Sequence, residues 1–212
     1  MPVVLVAGQG QQCNKFDIQL GLRRKFQEAD YKVSQVGTKR YSSLFGFHTL
    51  PQFLEAPLWK KILLYNRYFK DIVSREEPEV LIVGVPGGIM SIDEWYNELF
   101  GETAIAIAKS LSPDVTILSL YLSKMDSEFL NETKNYFRYA LGVSPDYFHL
   151  SNIKLVFEQD RRTINILITD SCRVFDGQEE TDDRFFNVFL PESCDPAYEG
   201  VISQLQNNIE TL

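Results

Sequence analysis

Lys15 closes a run, GQGQQCNKF (residues 8–16), that follows the apolar stretch Val3–Ala7 and leads into residues with helical spacing. A lysine at the end of a glycine-containing loop between a strand and a helix suits one chemistry. Backbone N–H groups and the ammonium group together hold phosphate oxygens, with a helix N-terminus behind them. Gly8, Gln9, Gly10, Gln11, Gln12, Cys13, Asn14, Lys15 and Phe16 are therefore the expected ligand-binding residues, with Gly8 and Gly10 as flexible positions and Lys15 as the cation. Two residues depart from the usual pattern. Asn14 stands where a glycine precedes the lysine, although asparagine tolerates positive φ better than most residues. Phe16 stands where a hydroxyl normally reaches magnesium, and phenylalanine has none. Asp17 is the one substitute metal ligand, but its carboxylate would repel phosphates unless a metal lay between them.

The stretch VLIVGVPGG (80–88) carries a second departure, because Gly84 and Val85 occupy the strand end where related enzymes place an acid. With both metal-organising groups missing, a bound nucleotide is expected to be hydrolysed slowly or not at all. Pro86, Gly87 and Gly88 join the expected ligand-binding residues: proline suits the second position of a type II turn and Gly87 the positive φ at its third. Lys15 and Asp17 are the first catalytic candidates. Cys13 is another, since a thiolate near a helix N-terminus is stabilised and becomes a nucleophile; its helper would be His48 or His149. The alternative reading is a small buried cysteine and packed histidines. In the acidic segment Asp176–Asp183, Glu179, Asp182 and Asp183 are either a solvated loop or a magnesium site.

Stepping outward, the elements that must carry these residues alternate. Ile18, Leu22, Phe26 and Ala29 recur at helical intervals, and 31–37 reads as a strand. Residues 38–57 mix aromatics with Gly46, Pro51 and Pro57 as a structured excursion expected to carry side chains toward a site, and 58–77 is a helix ending before Pro78. The continuous apolar run 79–85 predicts a strand buried on both faces, followed by a helix over 100–111, a strand over 114–122 and a helix over 127–141. This order predicts an α/β protein with a doubly wound, mainly parallel sheet and right-handed crossovers. Beyond Pro145, 153–157 and 163–169 predict a β-hairpin added to an edge across Gln159–Arg161. A short strand over 185–190 and a closing helix over 196–212 follow. The whole is expected to be a single domain, residues 1–145 forming the core and 146–212 the C-terminal strands and closing helix.

The 212 residues are 44% hydrophobic and 13% aromatic, enough for a core. Twenty-one Lys and Arg against 29 Asp and Glu leave a net charge of −8, and the basic runs Arg23–Lys25 and Arg161–Arg162 are short. A nucleic-acid partner is not expected on this balance. No apolar run approaches the ~18 residues of a membrane span. Met1–Pro2 runs directly into a strand without the features of a secretion signal, so the expected location is cytoplasmic. Three widely spaced cysteines, Cys13, Cys172 and Cys194, argue against a disulfide framework.

The run CNKFDIQLGLRRKFQEADYKVSQVGTKRYSSLFGFHTLP, taken with VLIVGVPGGIM, resembles a small clostridial family labelled peptide maturation system proteins. These are encoded beside ribosomal peptide precursors and radical-type modifying enzymes. The similarity runs from Val3 to about Ile153. Counted from Gly8, six residues precede Lys15, which is the spacing in the dethiobiotin-synthetase-like branch of phosphate-loop NTPases. The same segment resembles a larger phosphate-loop set in which glycine-lysine-phenylalanine-threonine follows two glutamines. Against that set the chain keeps Gln11, Gln12, Lys15, Phe16, Gly37, Thr38 and Gly46, and replaces the glycine with Asn14 and the threonine with Asp17, so the resemblance implies that Phe16 is ordinary there and that the lost hydroxyl belongs at position 17.

The resemblance implies an accessory role in peptide natural-product maturation, with ATP or GTP as the ligand, doubtful magnesium, and a precursor peptide or its modifying enzyme as partner. Two rivals stand beside it. In one, the loop is empty and the excursion Tyr41–Phe53 docks a peptide or a partner enzyme; apart from that reading, exposed aromatics in the excursion would also suit a homodimer. In the other, an ATP-dependent ligase or kinase-like enzyme uses Lys15 and Asp17.

Overall fold

Valine- and leucine-rich β1 (Val3–Gly8) is buried along its whole length and lies at the centre of a seven-stranded sheet. The computed structural model describes every residue except 93, 159–162, 177–182 and 211–212, and the backbone alone for 209–210. The other elements are α1 (Lys15–Glu28), β2 (Val33–Gly37), β3 (His48–Thr49), α2 (Leu58–Glu76), β4 (Val80–Gly84), α3 (Glu102–Ser110) and β5 (Val115–Leu120). They continue with α4 (Ser127–Tyr136), β6 (Tyr147–Leu150), β7 (Ile153–Glu158), β8 (Thr163–Ile168), β9 (Phe185–Phe186) and α5 (Pro191–Glu210).

The strand order is β3-β2-β4-β1-β5-β6-β9, and every pairing in this sheet is parallel. The protein is thus α/β and doubly wound, as the alternation of elements predicts. Successive residues of β1 feed opposite layers, because strand side chains alternate. Val3, Leu5 and Ala7 join a core with Phe69 and Ile72 of α2, Ile107 of α3 and Leu130 of α4. Val4 and Val6 join another with Ile18, Leu22 and Phe26 of α1 and Tyr198, Val201 and Leu205 of α5. Helices therefore cover both faces, which is why β1, β4 and β5 read as unbroken apolar runs.

Several expectations need correction. The hairpin β7–β8 forms its own two-stranded antiparallel sheet and does not join the edge of the main one; its predicted turn lies outside the described residues. The main sheet instead continues past residue 145 with β6, whose four residues are too few to show a period, and with β9, the short strand expected near 185–190. The excursion after β2 holds a short helical turn, Arg40–Phe45, and the two-residue strand β3. Phe100 was expected to begin a helix, yet it lies with left-handed dihedrals in the turn Glu98–Gly101, and α3 starts at Glu102. The closing helix begins at Pro191, since a proline costs no hydrogen bond at a helix's first position; Pro196 sits inside it. The strand near 185–190 keeps only Phe185–Phe186.

Candidate functional site

The chain leaves β1 at the middle of the sheet and turns into α1 beyond the carboxyl ends of the strands, where open parallel sheets bind ligands. Gln9 N–H donates to Ser119 O at 2.8 Å and Gln9 Oε1 accepts from Tyr121 N at 3.2 Å, so this side chain points back toward β5. The loop's left-handed positions are Gln12 (φ 59°) and Asn14 (φ 60°). The expected flexible residues, Gly8 and Gly10, are not left-handed. Alternation of left- and right-handed residues is what turns backbone N–H groups into a concavity. Asn14 has taken over the glycine's conformation. Ser151 Oγ donates to its Oδ1 at 2.5 Å, and its Nδ2 donates to Asp17 Oδ2 at 3.1 Å.

Lys15 opens α1 with 5% of its surface exposed. Its Nζ donates to Gly10 O at 2.7 Å and to Gly87 O, so the ammonium links the loop after β1 to the turn after β4. Gly87 has φ 72°, the positive value expected of it. Burial pushes the Lys15 amine below the usual lysine range, while the Cys13 sulfur and the Glu98 carboxylate pull the other way. Behind the loop, Ser119 Oγ donates to Cys13 O, and the same oxygen lies 2.8 Å from His149 Nδ1. A hydroxyl has one proton to give, so His149 carries its own on Nδ1 and leaves Nε2 without a partner. Burial holds this imidazole neutral, pushing its pKa down to about 3.

These elements surround a cleft of about 800 Å³ at the ends of β1, β2, β3 and β4. Its walls include Gln11, Gln12, Cys13, Asn14, Lys15, Phe16, Asp17, Pro86 and Gly87, whereas Gly8, Gln9, Gly10 and Gly88 lie behind the surface and shape it. Thr38, Lys39 and Arg40 after β2 reach the cleft at the start of the excursion expected to carry side chains toward a site, though the sequence did not single them out as ligand-binding; sequence reasoning missed Lys61 on α2 and Glu98, which reach it too. The first three had a signal, since the run GTKRY directly follows a predicted strand. Glu98 had none. The described lining residues include four cations, Lys15, Lys39, Arg40 and Lys61, and two carboxylates, Asp17 and Glu98, in a chain of net charge −8. Lys61 is 6% exposed and pairs with Glu102 at 3.0 Å.

The residues at the magnesium positions do not fit that ion. Phe16, 7% exposed, packs its ring against Tyr41, Phe45 and Phe47 at centroid distances of 5.7, 5.4 and 5.2 Å. Asp17 is engaged by Asn14. A Cβ on Gly84 would come within 2.5 Å of both Gln19 Oε1 and Thr38 Cγ2, so a carboxylate side chain has no room there. Among the described residues no cluster of three or more His, Cys, Asp or Glu side chains is placed to hold a metal; Glu179 and Asp182 lie outside them.

Of the remaining candidates, the Cys13 thiol is buried and donates to Gly10 O at 3.1 Å. His48 lies on β3, its Nε2 2.7 Å from Glu76 Oε1, in a small hollow separate from the cleft. His149 reaches the loop through Ser119, toward the Cys13 carbonyl and not its sulfur. No helix of the described residues is long and apolar enough to cross a membrane.

No family model and no curated protein matches the chain. Among solved structures, it is similar to the signal recognition particle receptor FtsY from Elizabethkingia anophelis, with 18% identity, a TM-score of 0.43, and coverage of 70% of this chain and 49% of that one. A GTPase from Pyrococcus abyssi, solved in its apo form, gives 16% identity and a TM-score of 0.43 over 70% of this chain and 66% of that one. Chloroplast FtsY from Physcomitrella patens gives 17% and 0.40 over 70% and 49%. The chain spans about half the length of the FtsY proteins it matches. The fold assignment rests on the sheet topology given above.

Proposed function

We propose that this protein binds a phosphate-bearing ligand, an adenine or guanine nucleotide being the natural choice, in the cleft beyond β1 and β4, with little or no hydrolysis. The observation that carries this reading is the buried Lys15 ammonium, held between two carbonyl oxygens at the centre of a cation-rich cleft in an acidic chain. Burying a cation with so little compensation is costly unless an anion repays it. The poor fit for magnesium supports binding over turnover. Calorimetric titration with ATP, GTP and their diphosphates, with and without magnesium, tests it. Micromolar binding lost in Lys15→Ala supports the reading, and absence of binding overturns it. Magnesium-dependent phosphate release would favour the ligase or kinase-like alternative.

The sequence resemblance adds the biological setting: an accessory step in peptide natural-product maturation, with a precursor peptide or its modifying enzyme as partner. The surface suited to that partner lies beside the cleft, where Tyr41, Leu44, Phe45 and Leu54 are 52%, 84%, 45% and 69% exposed. Exposed apolar groups gathered in one region mark interaction surfaces more often than scattered ones do. Pull-down of a precursor peptide by wild-type protein, weakened by Leu44→Asp with Leu54→Ser, is the expected result. Capture unaffected by the double change removes this surface.

A further inference from the structure

Glu98 places its Oε2 3.1 Å from Gly88 N and 3.4 Å from Gln11 Nε2. The carboxylate therefore accepts from both walls of the cradle, the turn after β4 and the loop after β1. It is also close enough to act on the Lys15 ammonium. Of the two carboxylates among the described lining residues, Asp17 is engaged by Asn14, so Glu98 is the one that bridges the loop after β1 and the turn after β4.

The backbone holds this carboxylate in place at a conformational cost. Glu98, Leu99, Phe100 and Gly101 have φ of 47°, 52°, 52° and 72°, four left-handed residues in succession, three of them with side chains that disfavour the region. Leu99 and Phe100 remain 54% and 71% exposed, so burial of their side chains does little to repay it. Gly101 packs against the turn after β4, where a Cβ would come within 1.8 Å of Ile89 O. Strain of this kind persists where surrounding structure over-determines it, and it gathers at ligand sites. What the strained turn accomplishes is to deliver a negative charge to the cradle.

We infer that Glu98 fills the outermost anion position of the cradle, so that the preferred ligand is a short phosphate, a nucleoside diphosphate or pyrophosphate, and a triphosphate is disfavoured. A third phosphate would meet the like charge of this carboxylate. This inference rests on the phosphate-binding reading above.

The test is calorimetry in the presence of a chelator, with ADP, ATP, GDP, GTP, pyrophosphate and tripolyphosphate, on wild type, Glu98→Gln and Glu98→Ala. Wild type is expected to bind each diphosphate at least about tenfold more tightly than the matching triphosphate. Both variants should close that gap by tightening the triphosphate. A ratio unmoved by either substitution overturns this inference and leaves the phosphate reading standing. Failure of every phosphate to bind any of the three proteins overturns both. With magnesium added, a triphosphate that binds wild type only with the ion, and loses that dependence in Glu98→Gln, assigns Glu98 to metal binding and overturns the inference as well.

Discussion

Ser151 Oγ donates to Asn14 Oδ1 at 2.5 Å, tying a left-handed residue of the loop after β1 to the segment just beyond β6, 137 positions away in sequence. Ser151 is fully buried and also accepts from Ile153 N at 3.1 Å. The loop is therefore held at its tip as well as at its ends. Ser151→Ala should cost about 1–3 kcal/mol by stranding these groups. Asn14→Gly should cost less, because glycine keeps the required φ. Chemical denaturation of both variants checks the order, and a larger loss for Asn14→Gly would mean the side-chain tether outweighs backbone conformation.

Phosphate affinity should depend on the charge of Lys15. Burial holds its amine below the usual lysine range in the free protein, and a bound phosphate favours the ammonium, raising the pKa again. Affinity is then full at pH values below the free-protein pKa. It falls as pH rises through that value, beginning earlier than for an ordinary lysine. Titrations across the alkaline range should show this decline in wild type and its absence in Lys15→Met; parallel profiles would assign the decline to another group.

Restoring a hydroxyl at position 16 should not restore hydrolysis. Phe16→Thr removes a ring packed against three aromatic neighbours, at an expected cost of ~3–5 kcal/mol, while Gly84 still offers no place for the second metal-organising group. Thermal unfolding and magnesium-dependent phosphate release measure the two halves of this statement. Appreciable turnover by Phe16→Thr would show that the hydroxyl alone was limiting.

His149 should make the fold sensitive to mild acid. Its folded pKa lies at about 3, below the ordinary 6.5 of the unfolded chain. Below pH 6.5 the unfolded state takes a proton that the folded state refuses. The stability is present in full above pH 6.5 and drains as pH falls toward 3, approaching roughly 5 kcal/mol in total. Denaturant titrations at pH 7, 6 and 5 should show a shallower slope for His149→Gln than for wild type. Equal slopes would exonerate His149.

Legibility in the sequence followed the range of the forces involved. The order of β1, β2, β4 and β5 with the helices between them was readable because apolar periodicity is local and each element is long enough to show it. Strands β3 and β6 have two and four residues, too few for a period, and are strands only because a neighbour offers them hydrogen bonds, while β9 keeps just two residues of the strand expected over 185–190. At the cradle, Lys15 and the tolerance of Asn14 for positive φ could be anticipated from residue type. Glu98 could not, since its reach back to Gly88 depends on a left-handed turn that nothing in IMSIDEWYNELFG announces.

By itself, then, the sequence determined the layered α/β plan and the place of a lysine-ended loop at the tip of the first strand, because side-chain periodicity and turn chemistry act over a few residues. Only the tertiary structure decided what that loop became. Phe16 turned from a missing metal ligand into a packing anchor, and Gly84 gave its space to Gln19 and Thr38. Ser151 and Glu98 entered the site from distant segments. Contacts between residues far apart in the chain exist only once the backbone has closed around them, and their energies leave no trace in local pattern.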